Sequence, residues 1–162
     1  MPPLLSMLKK LFLTLILILI FILNSSYLFS ENLYILNFID YKSNKNLFSF
    51  LIKENDTFCI TYIHSVALTK VYEFYKIKNG KILLYEFHFY DQCAGLPTEA
   101  QENETLILEN GVFKLKNMKR EFEKIIYGIY EKGSFTLVYK NKTFNLSNLF
   151  GNRFLKIEIR RL

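Results

Sequence analysis

KVYEFYKIKNGKILLYEFHFY, residues 70–90, has the pattern of a β-hairpin. Two runs rich in aromatic and β-branched residues flank the dipeptide Asn79-Gly80. An Asn-Gly pair in this setting is the strongest short signal for a two-residue turn, because both turn positions need a positive φ. The sequence therefore predicts antiparallel strands over 70–78 and 81–90. Alternation places four residues on one face of the second strand: Leu83, Tyr85, Phe87 and Phe89.

The same pattern recurs along most of the chain after residue 30. A second Asn-Gly pair, Asn110-Gly111, joins two further runs in the same way. The other predicted strands are 33–39, 47–52, 57–65, 104–109, 112–116, 122–130, 134–140, 142–146 and 153–161. About ten short strands at regular spacing are typical of an antiparallel β-sandwich or barrel. We therefore expect a single all-β domain over residues 31–162, preceded by an N-terminal hydrophobic helix.

The N-terminus has the features of a targeting segment. Lys9 and Lys10 precede an almost entirely apolar run at residues 11–23, an order typical of a secretory signal peptide. The run is shorter than the roughly 20 residues of a membrane-spanning helix, although the residues that follow it could extend it into an uncleaved anchor. No Ala-x-Ala cleavage site follows, and the best position for cleavage is Ser30.

These features predict where the rest of the chain lies. A signal peptide or an N-terminal membrane anchor over residues 1–30 would place residues 31–162 outside the cytoplasm, with the lysines inside. We expect an extracytoplasmic domain, periplasmic or at the cell surface, that is either secreted or anchored by residues 11–23. A buried core helix is the remaining alternative for this run.

The composition excludes several classes of protein. Hydrophobic residues make up 51% of the 162 residues, which rules out an intrinsically disordered chain. The net charge of +6 is unevenly spread, because residues 82–113 contain no Lys or Arg. The acidic residues of that segment are Glu86, Asp91, Glu99, Glu102, Glu104 and Glu109. A two-signed surface suits docking to a protein partner or to an anionic membrane surface, and the chain has no clear basic stripe for nucleic acid.

Two segments depart from strand alternation. Residues 61–73, TYIHSVALTKVYE, place polar side chains near the junction of two strands. Residues 91–103, DQCAGLPTEAQEN, lack any periodicity. Loops this long in compact domains are usually functional or disordered. The Ala-Gly-Leu-Pro core has turn formers and an apolar residue, so we expect an ordered loop tucked against the domain.

His64 has three possible roles. It could fix a loop through hydrogen bonds, or it could bind a metal ion with His88 and Asp91 if their strands approach each other. It could also act as the general base of a small hydrolase. Ser65 follows His64 on a predicted strand and would point to the opposite face, so the two do not form a nucleophile–base pair. The chain has no Gly-x-Ser-x-Gly elbow, Walker loop or dinucleotide fingerprint, and we predict no cofactor.

Two cysteines, Cys59 and Cys93, lie in the domain that we expect to be exported. An even number of cysteines in an oxidising compartment allows one disulfide, and two unpaired thiols are the alternative. Because Cys-x-x-Cys spacing is absent, the sequence gives no support for a zinc site built on cysteines.

Two motifs resemble a known family. The first comprises Tyr62, His64, Ser65, Val66, Thr69, Val71 and Glu73, and the second comprises Ala94, Gly95, Leu96 and Pro97. Together they resemble the bacterial domain-of-unknown-function family 1850, over roughly residues 33–160. The sequence departs from that family where Cys93 replaces the first glycine of the second motif, so a Cys59–Cys93 disulfide would be peculiar to this chain.

The resemblance implies a small exported or membrane-anchored protein, often encoded beside TRAP transporters of the TAXI type. Those systems pair a membrane permease with an extracytoplasmic solute receptor. No catalytic residues are implied. The candidate binding residues are Tyr62, His64, Ser65, Thr69, Glu73, Gly95, Leu96 and Pro97. The first expectation is an accessory module that docks on the receptor or permease through residues 82–113, and the second is a free-standing domain that binds a small molecule or metal.

Overall fold

The computed structural model describes residues 4–28 and 32–162. The chain divides into two compact units, the first ending at Asn32 and the second running from Leu33 to Leu162. The first contains helix α1 (Leu4–Leu28). Among the described residues, no helix combines the length and the hydropathy needed to cross a membrane. Ser30, the predicted cleavage position, lies outside the described residues.

The second unit is all-β, as predicted, and its strands form two antiparallel sheets rather than a closed barrel. The four-stranded sheet has the order β2-β1-β11-β8, and the seven-stranded sheet has the order β10-β9-β3-β4-β5-β7-β6. The strands are β1 (Leu33–Asp40), β2 (Asn46–Lys53), β3 (Thr57–Ile63), β4 (Lys70–Lys78), β5 (Lys81–Phe89), β6 (Thr105–Glu109), β7 (Val112–Phe122), β8 (Lys124–Ile129), β9 (Thr136–Tyr139), β10 (Lys142–Asn145) and β11 (Arg153–Arg161).

One hydrophobic core lies between the two sheets. Alternate residues of each strand supply it, for example Leu36 of β1 and Ile157 of β11 from one sheet, and Ile60 of β3 and Leu137 of β9 from the other. Burying an aliphatic side chain of this size stabilises the fold by about 1.5–3 kcal/mol. The sandwich-like arrangement therefore follows from apolar alternation on strands that belong to two sheets.

The two Asn-Gly turns form as predicted. Asn79 and Gly80 have φ angles of 52° and 71°, and Asn110 and Gly111 have φ angles of 52° and 76°. These hairpins join β4 to β5 and β6 to β7. The first hairpin sets the register of β4 with β5, and β3 pairs with the other side of β4.

The prediction of which residues of β5 share one face is wrong for the first half of the strand. The pairing of β5 with both of its neighbours shifts register near Tyr85, which shows a β-bulge. Ile82 and Leu84 therefore face the core with Phe87 and Phe89, and Tyr85 is only half-buried. Period-two alternation cannot place a bulge, because the extra residue changes the phase of the pattern without changing its composition.

Three predicted boundaries also need correction. β3 ends at Ile63, so His64 and Ser65 lie in a turn and not on a strand. β7 continues to Phe122, six residues beyond its predicted end, and β8 begins at Lys124. A short helix, α2 (Leu146–Phe150), follows β10, whereas the sequence predicted a strand up to residue 146 and no helix after it. The side chain of Asn145 caps this helix by accepting a hydrogen bond from the backbone N–H of Asn148.

Candidate functional site

The turn between β3 and β4, residues 64–69, is held by His64. The backbone N–H of His64 donates to the carbonyl of Thr69, and the N–H of Leu68 donates to the carbonyl of His64, both at 2.9 Å. Inside the turn, the Nδ1 atom of His64 accepts a hydrogen bond from the N–H of Ala67 at 3.2 Å. The imidazole therefore organises the backbone of this turn.

The loop between β5 and β6, residues 90–104, packs on the same imidazole. The Sγ atom of Cys93 lies 3.7 Å from Nδ1 of His64, and the N–H of Leu96 donates to the carbonyl of Cys93. Gly95 has a φ of 90°, and a Cβ atom there would lie 3.4 Å from Nε2 of His64. Leu96 is buried in the core. The expectation of an ordered loop tucked against the domain is therefore met; we call this turn and this loop together the loop face.

The hydrogen bonds of His64 constrain its chemistry. Because Nδ1 accepts from backbone N–H groups, the neutral ring carries its proton on Nε2. A ring in this tautomer has no free nitrogen lone pair to act as a general base. Ser65 is exposed, and within residues 32–162 no hydrogen bond joins its hydroxyl to His64. The geometry supports a structural role for His64 and gives no nucleophile–base pair.

Beneath the loop face, Glu73 points into the core from β4 and meets three tyrosines. Tyr62 of β3 donates a hydrogen bond to Oε1 at 3.1 Å, and Tyr75 of β4 donates to Oε2 at 2.8 Å. Tyr127 comes from β8, in the opposite sheet, and donates to the same Oε2 atom. The hydroxyls of Tyr75 and Tyr127 also lie 2.7 Å apart. We call these four residues the Glu73 cluster; it ties the two sheets together.

A count of the available hydrogens shows whether this cluster favours the protonated or the ionised form of Glu73. Four close oxygen–oxygen contacts need four hydrogens, and the three tyrosine hydroxyls supply three. Ionised Glu73 would leave one contact without a hydrogen, whereas a protonated Glu73 completes the set by donating its own proton to one of the tyrosine oxygens. Burial raises the pKa of Glu73, and the hydrogen bonds from the three tyrosines lower it by less. Both arguments favour a raised pKa for Glu73, so that its carboxyl keeps its proton at pH values where an exposed glutamate is ionised.

The tyrosines of the cluster respond in the same direction. Burial, reinforced by the neighbouring carboxylate, raises the pKa of Tyr62, Tyr75 and Tyr127. Their hydroxyls therefore remain donors at all physiological pH values. Among the described residues, no lysine or arginine forms an ion pair with Glu73. The cluster is thus a hydrogen-bonded tie inside the fold.

The structure groups most of the predicted site residues in two adjoining places. Tyr62 and Glu73 bond directly, and His64 contacts Gly95 through the ring and Thr69 through the backbone. Leu96 joins the core, Pro97 is half-buried, and Ser65 points to solvent. Sequence analysis missed Tyr75 and Tyr127, which look like ordinary core aromatics. The available signal was Glu73 itself, since a carboxylate on the apolar face of a strand requires hydrogen-bond donors.

The metal site considered for His64, His88 and Asp91 does not form. Within the described ranges, no three His, Cys, Asp or Glu side chains are grouped as metal ligands. The Nε2 atom of His88 pairs with Glu86 at 2.7 Å beside the ring of Phe74. Asp91 lies exposed at the start of the long loop.

The disulfide that the sequence allows is not formed either. Cys59 and Cys93 are both free thiols. Cys93 contacts His64, whereas Cys59 lines a separate cleft with Phe74 and Tyr85. Burial raises the pKa of Cys59 to about 12, so its thiol stays protonated and unreactive.

The acidic segment 82–113 is partly neutralised by its own neighbours. Two of its six acids form ion pairs, Glu104 with Arg120 and Glu109 with Lys114, and Glu86 forms a hydrogen bond with His88. The other three, Asp91, Glu99 and Glu102, are exposed on loop 90–104. No ion pair engages these three in the part of the chain that the structure describes. The unpaired negative charge of the segment is therefore concentrated on the loop face.

The comparisons with known proteins find one family. The model of the family described as "Domain of unknown function (DUF1850)" matches residues 58–146, more than half of the chain. The matched range includes the turn, the long loop and the Glu73 cluster. No curated protein and no solved structure matches the chain significantly.

Proposed function

Because the chain belongs to the DUF1850 family, whose function is unknown, we propose a function from its own surface. We propose that the domain is an extracytoplasmic, non-enzymatic accessory module that docks through its loop face. Its partner would be the solute receptor or the permease of a TRAP-type uptake system of the TAXI class. The nature of this partner rests on the family resemblance, and the location of the surface rests on the geometry.

The single observation that carries the proposal is the exposure and the backbone conformation of Leu68. Its side chain is 75% exposed, and its backbone has a φ of 54°, in the left-handed region that leucine disfavours. That conformation costs about 1–2 kcal/mol, and a solvated leucine contributes no packing in return. Val66, two residues earlier, is 62% exposed. A strained turn that presents two aliphatic side chains to solvent fits a contact made with another molecule.

The charge of loop 90–104, which packs on His64 of the same turn, suggests the chemistry of that molecule. The acids Asp91, Glu99 and Glu102 on this loop have no ionic partner within residues 32–162. An apolar turn and an acidic loop that meet at His64 suit a partner surface with an apolar pocket and a basic rim. The sequence predicted docking through the whole of residues 82–113, and the internal ion pairs narrow this surface to the loop.

The proposed location follows from the N-terminal segment. Residues 1–30 would act as a signal peptide or as an anchor, so that the β-domain lies in the periplasm or at the cell surface. A reporter active only outside the cytoplasm, fused after Leu162, tests this. An active reporter supports export, and an inactive but stable fusion contradicts it.

Site-specific crosslinking tests the docking surface. A photoreactive amino acid replaces Leu68 in the full-length tagged chain in cells, and captured proteins are identified by mass spectrometry. The matched control carries the same group at Phe154, which is 62% exposed on β11. We expect a receptor or permease to be captured from position 68 and not from position 154. A good yield of bait with the same proteins from both positions, or with none from position 68, contradicts the proposal.

A second candidate function is a free-standing domain that binds a small molecule between the end of β3 and loop 90–104. The observation that favours it is the hydroxyl of Thr69, which is buried and has no hydrogen-bond partner in the described structure. A polar ligand that entered beside His64 would supply the missing partner. This alternative predicts a ligand whose affinity falls in a His64→Ala variant; an affinity that survives this change contradicts it.

A further inference from the structure

A second site lies away from the loop face, at the open edge of the two sheets. Strand β2 is the last strand of the four-stranded sheet, and β10 is the last strand of the seven-stranded sheet. A cleft of about 510 Å³ lies between β2 and the hairpin of β9 and β10. This volume falls in the range of small-molecule sites. We call it the aromatic cleft.

Aromatic rings from both sheets line this cleft. Phe50 of β2 stacks on Tyr139 of β9, with ring centroids 4.8 Å apart. Phe48 of β2 and Phe144 of β10 approach to 5.4 Å. Phe48, Phe50 and Phe144 are only half-buried, so their rings present apolar surface to whatever enters. A planar or aliphatic ligand would lie against the exposed faces of these rings.

The charged groups that line the cleft give it a net positive charge. Lys140 lies 4.8 Å from the Tyr139 ring centroid and pairs with Asp56 at 3.5 Å. Lys142, on the adjacent edge strand, is exposed and has no partner in the part of the chain that the structure describes. No acidic residue lines the cleft. One cationic side chain at its rim is therefore not neutralised by the protein.

We propose that the aromatic cleft binds a monomeric amphiphilic anion, with an apolar chain or ring system against the exposed faces of the aromatic side chains and a carboxylate-like head at Lys142. The pattern of many apolar contacts with one or two placed polar groups is that of small-molecule sites in general. The site is independent of the loop face, because it involves different strands and no residue in common.

The chain contains no tryptophan, which allows a single reporter to be introduced. A Phe144→Trp variant of the full-length chain places the only indole in the cleft, and a Phe154→Trp variant places it on an exposed, unrelated position. Each is titrated with dodecanoate below its critical micelle concentration. We expect a saturable blue shift of the emission from position 144 and none from position 154. Equal shifts from both positions, or no saturation at 144, overturn the proposal.

The charge of the ligand is tested separately. Dodecyltrimethylammonium has a similar chain and the opposite charge, and we expect it to bind at least several-fold more weakly. A Lys142→Gln change should weaken dodecanoate binding about three- to fivefold, as expected for an exposed ion pair. The matched change Lys119→Gln, at an exposed lysine of β7, should leave binding unchanged. Equal losses in both variants, or in neither, contradict the role of Lys142.

Two further measurements keep the proposal testable if the tryptophan variants fold poorly. Calorimetric titration of the unmodified chain with dodecanoate needs no reporter, and its comparison with Lys142→Gln gives the same answer. Vesicles of phosphatidylglycerol form the second arm. If these vesicles bind the chain through Lys142 and free dodecanoate does not, the cleft contacts a membrane surface and the monomeric ligand is excluded.

Discussion

Glu73 and the acids of loop 90–104 carry the same chemical group in opposite surroundings. Glu73 lies between the sheets and receives hydrogen bonds from three tyrosines. Asp91, Glu99 and Glu102 lie in solvent, with no ionic partner in the described structure. The carboxyl of Glu73 makes hydrogen bonds that stabilise the fold, whereas the exposed carboxylates of the loop contribute little to stability. The difference indicates that Glu73 has a structural role and that the three loop acids are available to a partner.

The largest expected effect comes from removing the inner carboxyl. A Glu73→Ala change removes the acceptor of three tyrosine hydroxyls and opens a cavity between the sheets. Tyr75 and Tyr127 can still bond to each other, so two of the three hydroxyls are left without an acceptor. We expect the free energy of unfolding to fall by about 3 kcal/mol or more, since each unsatisfied hydroxyl costs about 1 kcal/mol and the cavity adds to this. Urea unfolding measures this loss. Glu99→Ala is the control on the loop, and a comparable loss there would remove the distinction.

The second expected effect is a pH dependence that belongs to Glu73. Because its pKa is raised in the folded state, folding favours the protonated form. The free energy of unfolding should therefore fall as the pH rises from about 4.5 to the raised pKa, and should stay at the lower value above it. At pH values above the raised pKa, the free energy of unfolding is lower by about 1.4 kcal/mol for each pH unit by which folding raises the pKa.

Other carboxyls act in the opposite direction and in a different pH window. Hydrogen bonds and nearby cations lower the pKa of Asp40, Asp56 and Glu109, so their contribution to stability is lost as the pH falls below about 4. Unfolding curves of the unmodified chain and of Glu73→Gln, measured between pH 4 and 8, isolate the Glu73 contribution. A pH profile that Glu73→Gln leaves unchanged contradicts the raised pKa.

A smaller effect is expected for the tie between the sheets. Tyr127→Phe removes the hydroxyl that reaches Glu73 from the opposite sheet and should cost about 1–2 kcal/mol of unfolding free energy. Tyr85→Phe is the matched control, because the hydroxyl of Tyr85 makes no hydrogen bond within residues 32–162. We expect a change below about 0.5 kcal/mol for the control. Equal losses for the two variants would show that the tie contributes nothing.

The smallest effect concerns the contact of the loop with His64. Gly95→Ala introduces a Cβ atom at a positive φ and 3.4 Å from the imidazole, whereas Gly111→Ala introduces one at a similar φ into open space. Both should lose about 1 kcal/mol from the backbone alone. The additional loss at Gly95 should be a few tenths of a kcal/mol and should appear as faster amide hydrogen exchange in loop 90–104. Identical exchange in both variants would contradict the packing of the loop on His64.

The sequence predicted the elements whose signals are local. Asn79-Gly80 and Asn110-Gly111 fix their hairpins through backbone conformation alone, and the motif around His64 and Gly95 identified the two segments that meet. The bulge at Tyr85 was not predictable, because it depends on how β5 fits two neighbours at once. Tyr127 joins Glu73 across 54 residues of sequence, so its role depends on the packing of one sheet on the other.

The most direct test of the account measures stability and docking on the same pair of variants. Leu68→Asn removes the exposed leucine and suits the left-handed backbone, and Glu73→Ala removes the inner carboxyl. Each is measured for urea unfolding and for recovery of the receptor or permease from cells after crosslinking with a soluble lysine-reactive reagent. The account predicts that Leu68→Asn is at least as stable as the unmodified chain and loses the partner, whereas Glu73→Ala is less stable and, at temperatures where it is folded, keeps the partner. Full recovery of the partner by Leu68→Asn, or its loss by a folded Glu73→Ala, would contradict the account.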